Sequence, residues 1–468
     1  MHPLIVLNVV GLTPELIGAN TPNLARLAEA GGMRSLRTVT PAVTCSAQAT
    51  FLTGEPPGGH GAVGNGWLFR DLYEIWLWRQ SNRLLTGERV WDAGKKRDER
   101  FTCANLFWWY AMASSADVAV TPRPIYKADG RKVPDCYTQP GDLRDELTAK
   151  LGPFPLFQFW GPATTIASSR WIADAALHVM ASRDPTLTLV YLPHLDYALQ
   201  RLGPDDPAIG KDLAEIDAVA GSLIDAAQAS GRRVIVLSEY GIVPVSKPVH
   251  INRALREAGL LTVRIEDGGE LLDPPQCRAF ALADHQVAHV YVADQADVAR
   301  VRSLLEKLDG VAAVWSEEEK RANGLDHARS GELVAIADSN AWFTYYYWLD
   351  DARAPDFARC VEIHRKPGYD PVELFIDPQI RFPKLAVGWR LIKKLLGMRT
   401  LMDVIPLDAG LVRGSHGRAD TPPERSPLLI SSWPELLPPG AIDAVDVKAL
   451  MLAHVFGART EAGKPTAR

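Results

Sequence analysis

The sequence predicts an α/β fold, with a mostly parallel sheet and helices on both faces. Two observations carry that reading. Three continuous apolar runs have the character of strands buried on both sides: LIVLNVV near the start, TLTLVYLP at 186–193 and RVIVLSEYG at 233–241. Amphipathic helical stretches alternate with them: TPNLARLAEAGG after the first run, and KDLAEIDAVAGSLIDAAQAS between the second and third.

The elements follow in chain order. Thr21 is placed to cap the first helix, Pro22 takes its first position, and Gly31–Gly32 ends it. SLRTVT at 35–40 reads as the next strand, and PAVTCSAQATFLTGEPPGGHG at 41–61 as a turn into a second helix. From about Trp67 to Asp184 the alternation stops. That stretch is dense in Trp and Arg, its strand signals are weak, and it reads as an insertion or lid beside the site. A second irregular region runs over about 266–383. The expected organisation is one domain over 1–457 with these two insertions, and a flexible tail at 458–468. LAVGWRLIKKLLG at 385–397 is both basic and apolar, which suits a packed amphipathic helix or one lying on a membrane surface.

Composition narrows the function classes. Of 468 residues, 47% are apolar and 23% charged, as in ordinary globular enzymes. The net charge of −5 argues against a nucleic-acid partner. No apolar run is long enough for a transmembrane span, and the N-terminus lacks the basic region and cleavage site of a signal peptide. Five widely spaced cysteines with no CxxC pair exclude a disulfide framework or structural zinc site, so a cytoplasmic location is expected.

In such a fold, ligands bind beyond the carboxyl ends of the strands. Polar groups cluster in four such segments. Thr44 opens a helix whose N-terminus attracts anions. It is either a nucleophile or, with Ser46, a plain helix cap, and Cys45 is a rival nucleophile. Asp196 and Gln200 follow the second apolar run, Glu239 and Tyr240 the third, and His416 sits in a Gly-flanked turn.

These motifs, in this order, resemble the type I phosphodiesterase/nucleotide pyrophosphatase family of the alkaline phosphatase superfamily, in a divergent bacterial form. IVLNVVGLTPELI and TPNLARLAEAG are similar to its opening strand and helix, and PAVTCSAQATFLTGEPPGGHGAVGN to its nucleophile segment. YLPHLDYALQRLGP, VIVLSEYGI and GSHG are similar to its metal-ligand segments. The resemblance covers about 4–66, 186–262 and 325–420. It implies an alkaline-phosphatase-like core with a pair of ions, usually zinc, beside a Thr or Ser nucleophile. Thr44 then aligns with the nucleophile and Asn65 with an amide holding a phosphate oxygen. Asp196 and His416 align with ligands of one ion, and Glu239 with an aspartate ligand of the other.

Three positions depart from that pattern. Val10 replaces the first-strand aspartate, and Gln200 and Tyr240 replace histidines. The donor set left implies one or two divalent ions (Zn, Mn or Mg). Substitute ligands or phosphate contacts are sought in Asn8, Gln200, Tyr240, and His364, Lys366 and Asp370 of HRKPGYDPVELF. Strand periodicity puts Glu362 and His364 on one side, and likewise His285 and His289 of HQVAH. The function implied is metal-dependent hydrolysis of a small phosphorylated substrate, a phosphodiester or diphosphate. The alternative is a catalytically degenerate core that binds a phospho-ligand or partner.

Overall fold

The computed structural model describes residues 1–457, so the expected tail at 458–468 lies outside the described residues. The strands used below are β1 (Leu4–Val9), β2 (Gly32–Arg37), β3 (Cys103–Leu106), β4 (Val118–Pro122), β5 (Cys136–Gln139), β6 (Leu187–Leu192) and β7 (Arg233–Leu237). They continue as β8 (Ala279–Asp284), β9 (Val287–Val292), β10 (Val311–Trp315), β11 (Leu333–Ala337), β12 (Leu428–Ser431) and β13 (Ile442–Asp443). The main sheet runs β13-β2-β12-β7-β1-β6-β3-β4-β5. Its five central strands, from β7 to β4, are parallel, and the flanking β12 and β5 are antiparallel to their neighbours. All of β1, β6 and β7 is buried, as their unbroken apolar runs require.

Both stretches expected to be insertions contain regular structure. Residues 103–139 supply β3, β4 and β5 to the main sheet, and Trp91, Trp108 and Trp171 lie in its core. These strands are only four or five residues long, too short to print a period on the sequence. Residues 279–337 build a second, antiparallel sheet in the order β8-β9-β11-β10, over a separate core that includes Phe280, Trp342 and Tyr345.

The helices that matter are α1 (Pro22–Ala30), α2 (Thr44–Thr53), α3 (Ala167–Arg183), α4 (His194–Leu202), α5 (Ile209–Ala229) and α6 (Pro383–Leu395). Thr21 does not cap α1; its hydroxyl bonds the Leu16 carbonyl instead. The free N–H groups of α1 are taken by Asp217 of α5, which accepts from Asn23 N at 3.1 Å and Leu24 N at 2.9 Å. A cap supplied 194 residues away leaves no local signal. Asp217 is buried, so its removal strands those donors. Asp217→Ala is expected to lower stability by about 2–3 kcal/mol, read from urea unfolding midpoints.

Candidate active site

Strand ends β1, β6 and β7 deliver Asn8, Asp196 and Glu239 to one edge of the sheet, and α2 brings Thr44 to the same place. Thr44 and Ser46 do not cap α2, whose N-cap position is Val43. Asn65 does so from outside, its Oδ1 accepting from Cys45 N at 3.0 Å, while Ser46 bonds the Ala62 carbonyl. The Thr44 hydroxyl is thereby free to face the cluster, 3.2 Å from the Tyr240 hydroxyl. Tyr240 in turn donates to Asp196 Oδ1 at 3.2 Å. Cys45 is the weaker competitor, because burial holds its thiol well above the ordinary range and disfavours the thiolate.

Two subsites differ in their chemistry. Around Glu239, Val10 is an apolar wall, and two amides take the place of a cation. Asn8 Nδ2 and Gln48 Nε2 both donate to Glu239 Oε1 at 2.5 Å, leaving Oε2 buried without a partner. Gln48 is itself fixed by Trp109 N, which donates to its Oε1 at 2.6 Å. Burial pushes the Glu239 carboxyl up to about 8, against the pull of the Gln48 and Asn8 hydrogen bonds.

Around Asp196 the donors include imidazoles. His416 Nδ1 donates to the Ala42 carbonyl at 2.7 Å, and His285 Nδ1 to Asp284 Oδ1 at 2.9 Å. Burial keeps both rings neutral, so each Nε2 carries a lone pair, and neither has a hydrogen-bond partner. The rings lie 3.7 Å apart, and His416 Nε2 is 3.9 Å from Asp196 Oδ1. Tying Nδ1 to a carboxylate or carbonyl and freeing Nε2 is how metal-ligating histidines are oriented. Burial pushes Asp196 up to about 7, opposed by hydrogen bonds from Tyr240 and Gln200. Gln200 Nε2 donates to Asp196 Oδ2 at 2.8 Å, and Gln200 Oε1 accepts from the Tyr369 hydroxyl at 3.0 Å.

The cluster holds ligand types that a divalent ion takes, although the ligand atoms of Asp196, His285 and His416 do not all lie within 4.8 Å of one another. Asp196, His285 and His416 offer a carboxylate and two imidazole lone pairs, a set suited to zinc or manganese. At the second position Val10 offers nothing, and Tyr240 is stacked flat on His416 with ring centres 3.5 Å apart. Among the described residues, the one group with three ligand atoms all within 4.8 Å of one another is His194, Asp212 and Glu215, outside this cluster.

Asn65, Lys366 and Asp370 are tied into the surrounding fold. Asn65 is fully engaged: its N–H and Nδ2 donate to Asp284, which also holds His285. Lys366 is locked in a buried ion pair with Asp370 and Glu373, both at 2.7 Å, so its own charge is already answered within the protein. Residue 362 lies outside any strand and 363–365 form a turn, so Glu362 and His364 do not share a strand face. His285 and His289 also separate: His285 turns the corner between β8 and β9, whereas His289 Nε2 donates to the Val63 carbonyl and its Nδ1 accepts from Gly331 N. The Trp-rich stretch contributes Trp78, Trp109 and Trp160, which pack with Tyr369 and Tyr197 beside the cluster. Gln48 has no signal in the sequence, whereas the HQVAH spacing singles out His285, though for a strand face that it does not share with His289.

A family model described as Type I phosphodiesterase / nucleotide pyrophosphatase matches residues 4–370. The chain belongs to this family. Phosphonoacetate hydrolase from Sinorhizobium meliloti 1021, solved with phosphonoformate, shares this type I phosphodiesterase fold at a TM-score of 0.61 and 16% identity, over 98% of this chain and 96% of that one. Murine ectonucleotide pyrophosphatase/phosphodiesterase 5, an inactive variant solved with AMP, gives 0.58 and 14%, over 97% and 95%. No curated protein matches the sequence. At these identities the structural likeness shows the fold, an alkaline-phosphatase-like α/β core.

Proposed function

We propose that this member of the type I phosphodiesterase family is a phosphoryl hydrolase that uses one divalent ion, with Thr44 as nucleophile. The observation that carries the reading is the pair of unpartnered Nε2 atoms of His285 and His416, the latter 3.9 Å from Asp196 Oδ1, in a cluster where the Thr44 hydroxyl bonds Tyr240. Three buried acidic groups, Asp196, Glu239 and Asp284, would repel a phosphoryl group unless a cation or protons offset them. Asp196, His285 and His416 would hold the ion, which when bound would supply Lewis-acid stabilisation of phosphoryl oxygens.

The protein's own groups do the rest. Glu239 Oε2 takes the proton of Thr44 as Oγ1 attacks phosphorus and the bond to the leaving oxygen breaks. Water then attacks the phospho-threonyl group, releasing a phosphate monoester and restoring Thr44. The aromatic wall of Trp78, Trp160 and Tyr369 gives a stacking surface for an apolar or heteroaromatic leaving group. The neighbours solved with AMP and with phosphonoformate support a small phosphorylated substrate.

The test is elemental analysis after titration with Zn²⁺ or Mn²⁺, beside hydrolysis of a p-nitrophenyl phosphodiester. One ion per chain is expected in the wild type, none in His285→Ala, and turnover only with the ion. Binding of two ions, or an ion retained by His285→Ala, overturns the single-ion site. Absence of both ion and turnover favours a core that only binds a phospho-ligand.

A further inference from the structure

The segment from 378 to 402 holds six basic residues (Arg381, Lys384, Arg390, Lys393, Lys394 and Arg399) and no acidic one, in a chain whose net charge is −5. Its helix α6 has no buried residue. One side is docked: Val387, with Ile380 and Met402 from the flanking turns, packs on the second core, and Arg390 bonds Asp403 at 2.6 Å. The opposite side is apolar and exposed. Leu385, Trp389, Ile392 and Leu396 follow one another at the spacing of a single helix face, and all are largely open to solvent, as is Phe382 at the helix start. Lys384 and Lys393 stand roughly 90° to either side of that stripe.

We propose that α6 is an interfacial anchor that lies on an anionic lipid bilayer. Thirteen residues make a helix about 20 Å long, too short to cross a bilayer core but suited to lying in its surface. Trp389 is the side chain most at home between headgroups and acyl chains, with the Lys393 ammonium 5.5 Å from its ring. The flanking lysines reach headgroup phosphates while their stems cover apolar surface. A second copy of the chain is a poorer occupant. A two-fold contact through this face would set six positive charges against six, with no carboxylate on the segment to answer them.

The experiment is flotation of the full chain with phosphatidylcholine vesicles, with and without phosphatidylglycerol, at low and high salt. Two variants accompany it: Trp389→Ser/Ile392→Ser and Lys384→Glu/Lys393→Glu/Lys394→Glu. These side chains are exposed, so unchanged melting temperatures confirm an intact fold. The wild type is expected to float with the anionic vesicles only, less so at high salt, and each variant to lose at least roughly tenfold in partitioning. A wild type that stays behind with both vesicle types overturns the proposal, as do variants that float like it. So does a wild-type dimer in light scattering that Trp389→Ser/Ile392→Ser makes monomeric, because the face would then belong to a second copy.

Discussion

Thr44→Ala is expected to cut turnover of a phosphodiester by at least about a thousandfold while leaving one bound ion and an unchanged melting temperature. The physical ground is that the hydroxyl has no structural work. It does not cap α2, because Asn65 does, and its one hydrogen-bond partner is Tyr240, which keeps Asp196 as an acceptor without it. Removing Oγ1 deletes the group that bonds phosphorus and leaves the scaffold whole. Thr44→Ser, which keeps an oxygen at that place, is expected to retain most of the rate. Rapid-quench measurement of a phosphorylated enzyme checks the same point: labelled protein should accumulate in the wild type or Ser form and never in the Ala form. Full activity in Thr44→Ala would mean that water, not the protein, attacks first.

The sequence made the outer frame of this site legible and hid its inner repair. Long buried strands print continuous apolar runs, so β1, β6 and β7, and the residues just past them, could be read directly. Asp196, Glu239, Thr44 and His416 meet where those elements end. Asn8, Gln200 and His285 could be named as candidates, but not what they meet, because compensation acts through space. Glu239 is answered by Asn8 and Gln48, 231 and 191 residues away, and Gln200 is braced by Tyr369, 169 residues away. His285 comes from a second sheet whose residues fell inside a stretch taken as irregular. The short strands β3 to β5 are hidden for a different reason: four or five residues among many tryptophans carry no period, even though several of those tryptophans are core, as aromatics more often are.

Glu239→Gln is expected to inactivate the enzyme and, in the metal-free protein above neutral pH, to stabilise it. Burial raises the Glu239 carboxyl to about 8 in the folded chain, against 4.5 for the free side chain. Below the lower value both folded and unfolded states hold the proton, and the group has no effect on stability. Between the two values the unfolded chain has released its proton while the folded chain keeps it. Stability therefore falls as pH rises across that window, by about 1.4 kcal/mol per unit at most. Above about 8 the loss is complete and level. Glutamine removes the ionisation while its Oε1 still accepts from Asn8 and Gln48. Thermal melts should find the variant equal to wild type near pH 4.5 and more stable at pH 8, by on the order of a few kcal/mol. Activity should move the other way. The base works only when ionised, so wild-type kcat/KM should rise with pH to a plateau, and the variant should show no such rise. A stabilised but inactive Glu239→Gln is the signature of a carboxyl kept in an unfavourable place for its chemistry. Equal stability at both pH values would mean that the group is already ionised in the fold and does not serve as the base.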